Sequence, residues 1–348
     1  MDEKKVTNLS QLGEFGLIER LTKSIILKQP STLHGVGDDA AVIQPDNENL
    51  MLVSTDLFLE GIHFDLTYFP LKHLGYKTIV AAAADIFAMN GLPKQVTISL
   101  GLSSKMKLEL IEELYQGFQL ACTELHIDIV GGDTTTSLTG LTISITAIGS
   151  AKATDVVYRN GAQPNDLICV TGDLGAAYLG LQILEREKVV LQATKATEPD
   201  FVGKEYLLER QLRPTIPSSL NGYLKEVEVK PTAMIDVSDG IASDIRQICI
   251  ASKVGCKIFE DKLPIDHTTS LAAEEMGINP TVAALNGGDD YEMLFTINLA
   301  DFEKFSKQTS LPIYVIGHIT ADASEYTLVT ASGQEVELKA QGWGEINS

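Results

Sequence analysis

Short clusters of glycine and aspartate follow apolar runs at several points, and they constrain this chain more than any other feature. Segment 35–39 reads Gly-Val-Gly-Asp-Asp, 131–133 reads Gly-Gly-Asp and 287–290 reads Gly-Gly-Asp-Asp. Glycine lets the backbone turn tightly and approach a ligand closely, and adjacent carboxylates repel each other unless solvent or a cation separates them. One such cluster alone is best explained as a solvated turn between strands, but the recurrence favours a shared function.

The order of the predicted elements gives the fold class and the domain boundary. The 348 residues suffice for two domains that each bury a core. Strands and helices alternate without the βαβ rhythm of a doubly wound sheet, which predicts two α+β domains. Because segment 151–164 is polar and lacks a period, we predict an N-terminal domain of residues 1–150 and a C-terminal domain of residues 151–348.

Local patterns also predict the elements that carry several candidate residues. Small and apolar residues predict a helix at 73–90. A strand predicted at 50–54 continues into the next residues, so Thr55 and Asp56 lie mid-strand or at a bulge. A further strand is predicted at 127–130 and is followed by a glycine-rich loop.

The charge balance and the short apolar segments argue against several classes of protein. With 27 Lys and Arg against 47 Asp and Glu, the net charge is −20, which repels nucleic-acid phosphates and anionic lipid. Segment 79–89 is interrupted by Asp85 and is too short to span a bilayer, and residues 1–10 lack the apolar core of a secretory signal. The four cysteines show no CxxC spacing, so we expect reduced thiols in a cytoplasmic protein. From the charge balance we expect that the protein binds neither nucleic acid nor membrane.

The acids at glycine-rich turns and strand ends are candidate metal ligands. They are Asp38, Asp39, Asp56, Asp85, Asp133, Asp236, Asp239, Asp289 and Asp290. Mg²⁺ takes oxygen ligands and keeps several waters beside one or two carboxylates, so convergent carboxylates would suit several Mg²⁺ ions on a polyphosphate. Loop 131–135 offers N–H groups and hydroxyls for phosphate oxygens, and a helix that starts at 238–240 favours an anion. Unrelated surface turns stay open as the alternative, because sequence alone does not show convergence.

Common phosphate-binding motifs such as GxxxxGK[ST] and the kinase HRD and DFG are absent, but an ordered series of shorter motifs is present. They are segments 13–15, 35–41, 54–56, 61–64, 131–135, 159–161, 170–172, 236–240 and 287–292, together with Asp85 in its alanine-rich helix. No single segment is specific, but the ordered series resembles the thiamine-monophosphate kinase family, which belongs to the aminoimidazole ribonucleotide synthetase-like superfamily.

The resemblance implies an enzyme that phosphorylates thiamine monophosphate with ATP and forms thiamine diphosphate. It implies several Mg²⁺ ions as cofactors and direct in-line transfer of the γ-phosphate, since the acceptor is already an anion and needs no strong general base. It also implies a homodimer in which two N-terminal domains form a shared β-barrel, while each C-terminal domain is a sheet covered by helices. The site would lie in a cleft between the two domains.

Carried over by position, the family's functional residues fall into three groups. The implied metal ligands are Asp39, Ser54, Thr55, Asp56, Asp85, Asp133, Asp236 and Asp239. The implied ATP contacts are Gly132, Asp133, Arg159 and Ser238. The implied thiamine-phosphate contacts are His63, Asp289 and Trp343. The family often has Glu at position 289, so the carboxylate of this chain is one methylene shorter there.

Two alternatives stay open at this point. One is another ATP-using enzyme of the superfamily, although selenophosphate synthetase needs a reactive cysteine or selenocysteine near its N-terminal glycine-rich loop and no cysteine precedes Cys122. The other is a non-catalytic divalent-metal-binding protein. That protein would bind metal without nucleotide turnover and would tolerate loss of Arg159 and His63.

Overall fold

The first half of the chain builds a six-stranded sheet. The computed structural model describes residues 13–45, 48–194, 198–307 and 311–340. The strands are β1 (Thr32–His34), β2 (Ala41–Ile43), β3 (Asn49–Leu59), β4 (Leu92–Ser103), β5 (Asp128–Ser137) and β6 (Thr142–Lys152). Their order is β1-β2-β3-β6-β4-β5, and β4 pairs with β5 in parallel. Because β1 and β5 are edge strands, no closed barrel forms within the described part of one chain.

The second half builds a seven-stranded sheet. The strands are β7 (Leu167–Thr171), β8 (Ala233–Asp236), β9 (Gly255–Phe259), β10 (Met293–Ile297), β11 (Ile313–Thr320), β12 (Tyr326–Val329) and β13 (Glu335–Glu337). Their order is β13-β12-β9-β11-β7-β10-β8. Most neighbours are antiparallel, and β9 with β12 is a parallel pair. Two mixed sheets with separate helices confirm the predicted α+β class.

The described residues form ten α-helices. They are α1 (Gly13–Thr22), α2 (Leu71–Ala88), α3 (Leu108–Leu125), α4 (Ala176–Ala193), α5 (Glu205–Leu212), α6 (Ser219–Glu226), α7 (Ile241–Ser252), α8 (His267–Glu275), α9 (Pro280–Asn286) and α10 (Leu299–Phe305). Among the helices described, none has both the length and the apolar character needed to cross a membrane.

Helix α2 is the central helix of the molecule. Of its 18 residues, 15 are buried, which is the pattern of a helix surrounded by protein on all sides. It contacts the first sheet, helix α3 and strand β8 of the second sheet. It approaches α3 closely because both helices have glycine at the crossing: a Cβ on Gly117 would lie 2.0 Å from the Lys72 carbonyl oxygen. Residues on α2 are therefore fixed relative to both sheets.

One predicted turn is a strand in the structure. Segment 131–135 was expected to be a loop after a strand at 127–130, but it lies within β5, because the chain continues to pair with β4 as far as Ser137. The helix predicted at 73–90 is α2, Leu71–Ala88. Thr55 and Asp56, predicted mid-strand or at a bulge, lie inside β3.

Candidate active site

Three predicted metal ligands from three elements converge beside α2. Asp39 precedes β2, Asp85 lies in the last turns of α2, and Asp236 is the last residue of β8. One carboxylate oxygen of each residue lies within 4.8 Å of the others. Asp39 and Asp236 are 7% and 3% exposed, so their charges have little access to bulk water. The structure thus gathers acids that are far apart in the sequence.

Strand β3 adds two further predicted ligands on the same side. Ser54 and Asp56 alternate with Thr55, so their side chains lie on the face of the sheet that packs towards the core. The Ser54 hydroxyl donates a hydrogen bond to the Asp85 carboxylate. One carboxylate oxygen of Asp56 is buried and has no hydrogen-bond partner in the described residues. Such an oxygen is a suitable donor for a cation.

Burial and mutual repulsion raise the pKa values of these carboxyl groups. Burial, and then the charges of Asp56, Asp236 and Asp39, raise the pKa of Asp85 well above its usual range. Burial raises the pKa of Asp56 to about 6. Burial followed by the charge of Asp39 raises the pKa of Asp236. A cation among these groups favours their charged forms, so the cluster has the electrostatic character of a cation site.

Arg159, an implied ATP contact, is paired with an implied metal ligand. Its Nη2 lies 2.7 Å from Asp39 Oδ1 and its Nε lies 3.2 Å from Oδ2, which is a bidentate guanidinium–carboxylate pair. The backbone N–H of Arg159 donates to both carboxylate oxygens of Asp38, at 3.1 and 3.3 Å. The Ser252 hydroxyl donates to the Arg159 carbonyl oxygen. Asp38 and Ser252 therefore fix the backbone of Arg159, while Asp39 takes its side chain.

Thr55, another implied ligand, presents its side chain to the opposite face of the first sheet. Its hydroxyl lies 3.2 Å from the hydroxyl of Thr146 and 3.2 Å from the carbonyl oxygen of Ile145. Side chains alternate between the two faces of a strand, so this hydroxyl lies away from the acids beside α2. The fold of one chain does not bring it into the cluster.

Asp133 and Gly132 lie on edge strand β5, three strands from β3. Gly132 is opposite the buried residue Ile98, and Asp133 is opposite the exposed residue Ser99. Asp133 therefore lies on the outer face of the sheet, together with Thr55. At about 4.8 Å per strand, β5 is roughly 14 Å from β3. A Cβ on Gly132 would lie 1.8 Å from the Ile98 carbonyl oxygen, so this position requires glycine for strand packing.

The segment between β8 and α7 places Ser238 and Asp239 beside the cluster. The Ser238 carbonyl oxygen accepts a hydrogen bond from the Asp289 N–H at 2.8 Å. Burial, followed by the charge of Asp289, raises the pKa of Asp239. Asp244 in the first turn of α7 is 2% exposed, and one of its carboxylate oxygens has no partner in the described residues. Burial, followed by the charge of Asp239, raises the pKa of Asp244.

The implied acceptor contacts His63 and Asp289 lie at one end of the site. His63 Nδ1 accepts a hydrogen bond from the Leu59 N–H at 3.1 Å, so the neutral ring carries its proton on Nε2. Burial lowers the pKa of His63, and the charge of Asp289 opposes that shift. Asp289 is ion-paired with Lys77 at 2.9 Å. Trp343, the third implied acceptor contact, lies outside the described residues.

The remaining acids of segment 287–292, Asp290 and Glu292, stabilise the fold and do not belong to the acidic cluster. Asp290 accepts a hydrogen bond from the Gly175 N–H at 2.9 Å. Glu292 accepts from the Thr171 hydroxyl at 2.6 Å and from Arg210 at 3.1 Å. These contacts tie β7 and α5 to the start of β10.

Two residues of this site were not singled out from the sequence, Lys77 and Asp244. A lysine inside an otherwise apolar helix was a usable signal for Lys77, because a buried lysine needs a partner. Asp244 carried no comparable signal, since an acid in the first turn of a helix is common for reasons of the helix dipole alone.

Comparisons with known proteins agree with this fold. Residues 37–151 match the model of AIR synthase related protein, N-terminal domain, and residues 163–329 match the model of its C-terminal domain. The hydrogenase maturation protein HypE in complex with ATP has the same fold, with a TM-score of 0.66 at 18% identity. The two sheets and the acidic site thus define a protein of the AIR synthase type.

Closer relatives specify the family. The thiamine-monophosphate kinase of Bacillus subtilis is 30% identical over 346 residues, which cover 96% of this chain and 100% of the relative. The enzyme of Aquifex aeolicus is 33% identical, with 96% and 98% covered. The structure of AaThiL complexed with AMPPCP and TMP has a TM-score of 0.79 at 30% identity, with 97% and 98% covered. The chain belongs to the thiamine-monophosphate kinase family of phosphotransferases.

Proposed function

We propose that this protein transfers the γ-phosphate of ATP to thiamine monophosphate and forms thiamine diphosphate. The observation that carries the proposal is the convergence of Asp39, Asp85 and Asp236 in a chain of this family. The structure of a relative complexed with AMPPCP and TMP supports the same two ligand classes. Both substrates are anions, so the main task of such a site is to bring two negative charges together.

The donor set fits several Mg²⁺ ions. All the donors are oxygens, as hard divalent cations prefer, and the partnerless oxygen of Asp56 is one of them. We assign Asp39, Ser54, Asp56, Asp85 and Asp236 as ligands that act directly or through water, with Asp239 beside them. When bound there, Mg²⁺ neutralises phosphate charge and aligns the donor with the acceptor.

The protein residues bind and orient the two substrates. We assign Arg159 and Ser238 to the ATP phosphates, because both adjoin the cluster. His63 and Asp289 orient the thiamine phosphate at the other end, with Trp343 as a further proposed contact. No general base is assigned, since the acceptor oxygen is already anionic, and we propose in-line transfer without a phosphoenzyme. Labelled phosphate trapped on the protein in a single turnover would rule this route out.

Thr55, Gly132 and Asp133 stay proposed site residues, although they lie on the outer face or edge of the first sheet. We propose a homodimer in which a second copy covers this face and completes the barrel, because β5 is an exposed edge strand. Asp133→Asn tests the assignment. A turnover lower by orders of magnitude supports it, and near-normal turnover removes Asp133 from the site.

We also propose two domains. The predicted division into 1–150 and 151–348 cuts the last two residues from β6, which ends at Lys152, so we place the boundary just after that strand, where the two sheets separate. All four cysteines are free and buried, which is the state expected of thiols in a reducing compartment. A cytoplasmic location follows as part of the proposal.

The decisive experiment incubates the purified protein with MgATP and thiamine monophosphate and follows thiamine diphosphate and ADP. We expect both products in equal amounts. Asp56→Asn should lower turnover by at least about 100-fold, because a buried ligand is lost, with the melting temperature maintained. Folded protein that binds ATP and forms no thiamine diphosphate would refute the proposed function.

A further inference from the structure

One lysine lies in the buried middle of α2. The Lys77 side chain is 6% exposed, and lysines are almost never buried without a partner. Its Nζ lies 2.9 Å from Asp289 Oδ2 and 3.1 Å from Gln211 Oε1. It also lies 5.8 Å from the centroid of the Phe69 ring. Helix α2, helix α5 and the segment after α9 therefore meet at this ammonium group.

The carboxylate that Lys77 contacts is held from one side and exposed on the other. The Asp289 side chain is 36% exposed. Its Oδ2 accepts from Lys77, and its Oδ1 accepts from the Tyr291 hydroxyl at 2.9 Å. The buried ammonium of Lys77 therefore holds the Asp289 carboxylate from the protein side, while the other side of this carboxylate is accessible to a ligand.

The backbone that carries this carboxylate is in an unusual conformation. Asp289 has φ +61° and Tyr291 has φ +52°, a region that is rare for a bulky side chain. The segment is held by hydrogen bonds from the Asp289 N–H to the Ser238 carbonyl and from the Tyr291 N–H to the Val237 carbonyl, at 2.8 and 2.9 Å. A strained backbone conformation that is held in place by several neighbouring contacts is typical of functional sites.

Helix α2 connects this carboxylate with the acidic cluster. Lys77 and Asp85 are eight residues apart on one helix, which is about 12 Å along its axis. One buried helix thus carries an acid of the cluster at one point and the cation that holds Asp289 at another. The distance between the metal-binding part and the acceptor part of the site is set by α2.

Building on the proposed function, we propose that Lys77 is a positioning residue of the acceptor pocket. Its ammonium fixes the carboxylate of Asp289, and Asp289 contacts the acceptor molecule, thiamine monophosphate. A purely structural lysine would instead support the helix and leave acceptor affinity unchanged. The two roles differ in whether KM for thiamine monophosphate responds separately from KM for ATP.

The test compares Lys77→Met, Asp289→Asn and the double variant in steady-state kinetics. Loss of a charged hydrogen bond in Lys77→Met should raise KM for thiamine monophosphate about 10- to 100-fold and leave KM for ATP within about twofold. Because Lys77 acts through Asp289, adding Lys77→Met to Asp289→Asn should change KM by less than about twofold. Lys257→Met, which removes a lysine from surface ion pairs on β9, is the matched control and should behave as the wild type.

The double variant keeps the test valid if Lys77→Met is unstable, because it removes both charges of the pair. A further tenfold rise in KM over Asp289→Asn would show that Lys77 acts independently of Asp289 and would overturn the inference. An active wild type with an unchanged KM in Lys77→Met would overturn it while leaving the proposed function intact. A folded wild type that forms no thiamine diphosphate would overturn both.

Discussion

Asp85 lies in the last turns of α2, where the helix dipole disfavours a negative charge. Burial and three neighbouring carboxylates raise its pKa. A carboxyl group whose pKa is higher in the folded protein binds more protons there than in the unfolded chain, so stability falls as pH rises through that range. Without a cation, this acid therefore destabilises the fold at neutral pH.

We expect Asp85→Asn to be more stable than the wild type in EDTA. The difference should be smallest at pH 4 and grow as the pH rises to 8, because the folded protein keeps this carboxyl group protonated to a higher pH than the unfolded chain does. Urea unfolding of both proteins at pH 4, 6 and 8 measures it, and histidine titration cancels in the comparison. Asp322→Asn, at a fully exposed carboxyl group, is the control, and its stability relative to the wild type should not increase as the pH rises. A wild type that is the more stable protein at pH 8 would contradict the electrostatic description of the cluster.

Arg159 supplies a cation to Asp39. We expect Arg159→Gln to affect metal and nucleotide in opposite directions. Binding of Mn²⁺ alone should become about tenfold tighter, because a competing charge is removed, while binding of ATP becomes weaker. Electron paramagnetic resonance gives the free Mn²⁺, and calorimetry gives the ATP affinity.

The control for Arg159→Gln is Arg213→Gln. Arg213 pairs with Glu124 near the surface, so its loss should leave both affinities unchanged. If Arg159→Gln binds Mn²⁺ more weakly than the wild type, then Arg159 organises the acids instead of competing with a metal.

At the scale of the elements, the sequence was informative where local pattern decides the structure. The apolar run and alanines around Asp85 predicted α2, and the positions of Ser54 and Asp56 in a strand were recognised. The pairing of strands that are far apart in the sequence could not be predicted from local patterns. A Gly-Gly pair suggests a turn, yet Gly132 lies in β5 because β4 supplies a partner. The same applies to Lys77, whose partners are 134 and 212 residues away.

Alternation along β3 also separates residues that one motif had grouped. Thr55 was implied as a ligand together with its two neighbours, but a strand turns successive side chains to opposite faces. A strand prediction for this segment already implies that Thr55 and its two neighbours lie on opposite faces of the sheet. Whether Thr55 and Asp133 reach a ligand depends on what covers the outer face, which is a property of the assembly and not of the local sequence.

The crossing of α2 and α3 provides a prediction at the same scale. We expect Gly117→Ala to lower the free energy of unfolding by about 2–3 kcal/mol, because its Cβ would lie 2.0 Å from a backbone oxygen of α2. Activity should fall with it, since α2 carries Asp85 and Lys77. Gly222→Ala in α6 has nothing within 4 Å of its Cβ and should be neutral or slightly stabilising. Urea unfolding of the two variants measures the difference, and equal stabilities would contradict the close-packing argument.

Considered as a whole, the molecule joins its two halves through a shared apolar core and through charged pairs at the site. Asp39 of the first half meets Arg159 beyond β6, and Lys77 of α2 meets Asp289 before β10. The acids themselves come from both sheets. A change in how the halves pack would therefore alter the cluster and the acceptor end together, so activity is expected to be lost before the fold unfolds.

The outer face of the first sheet leads to the last prediction, which concerns assembly. Strand β5 is exposed along almost all of its ten residues, and Val130 on it is 56% exposed. An edge strand of this length is a template for pairing with another chain, so we expect a dimer of twice 37.7 kDa by light scattering. Val130→Lys should weaken the dimer at least about tenfold, because a charge is placed at an apolar contact. Val202→Lys, at a valine that is 85% exposed away from this strand, should leave the mass unchanged. A wild type that stays monomeric at high micromolar concentration would contradict the shared barrel.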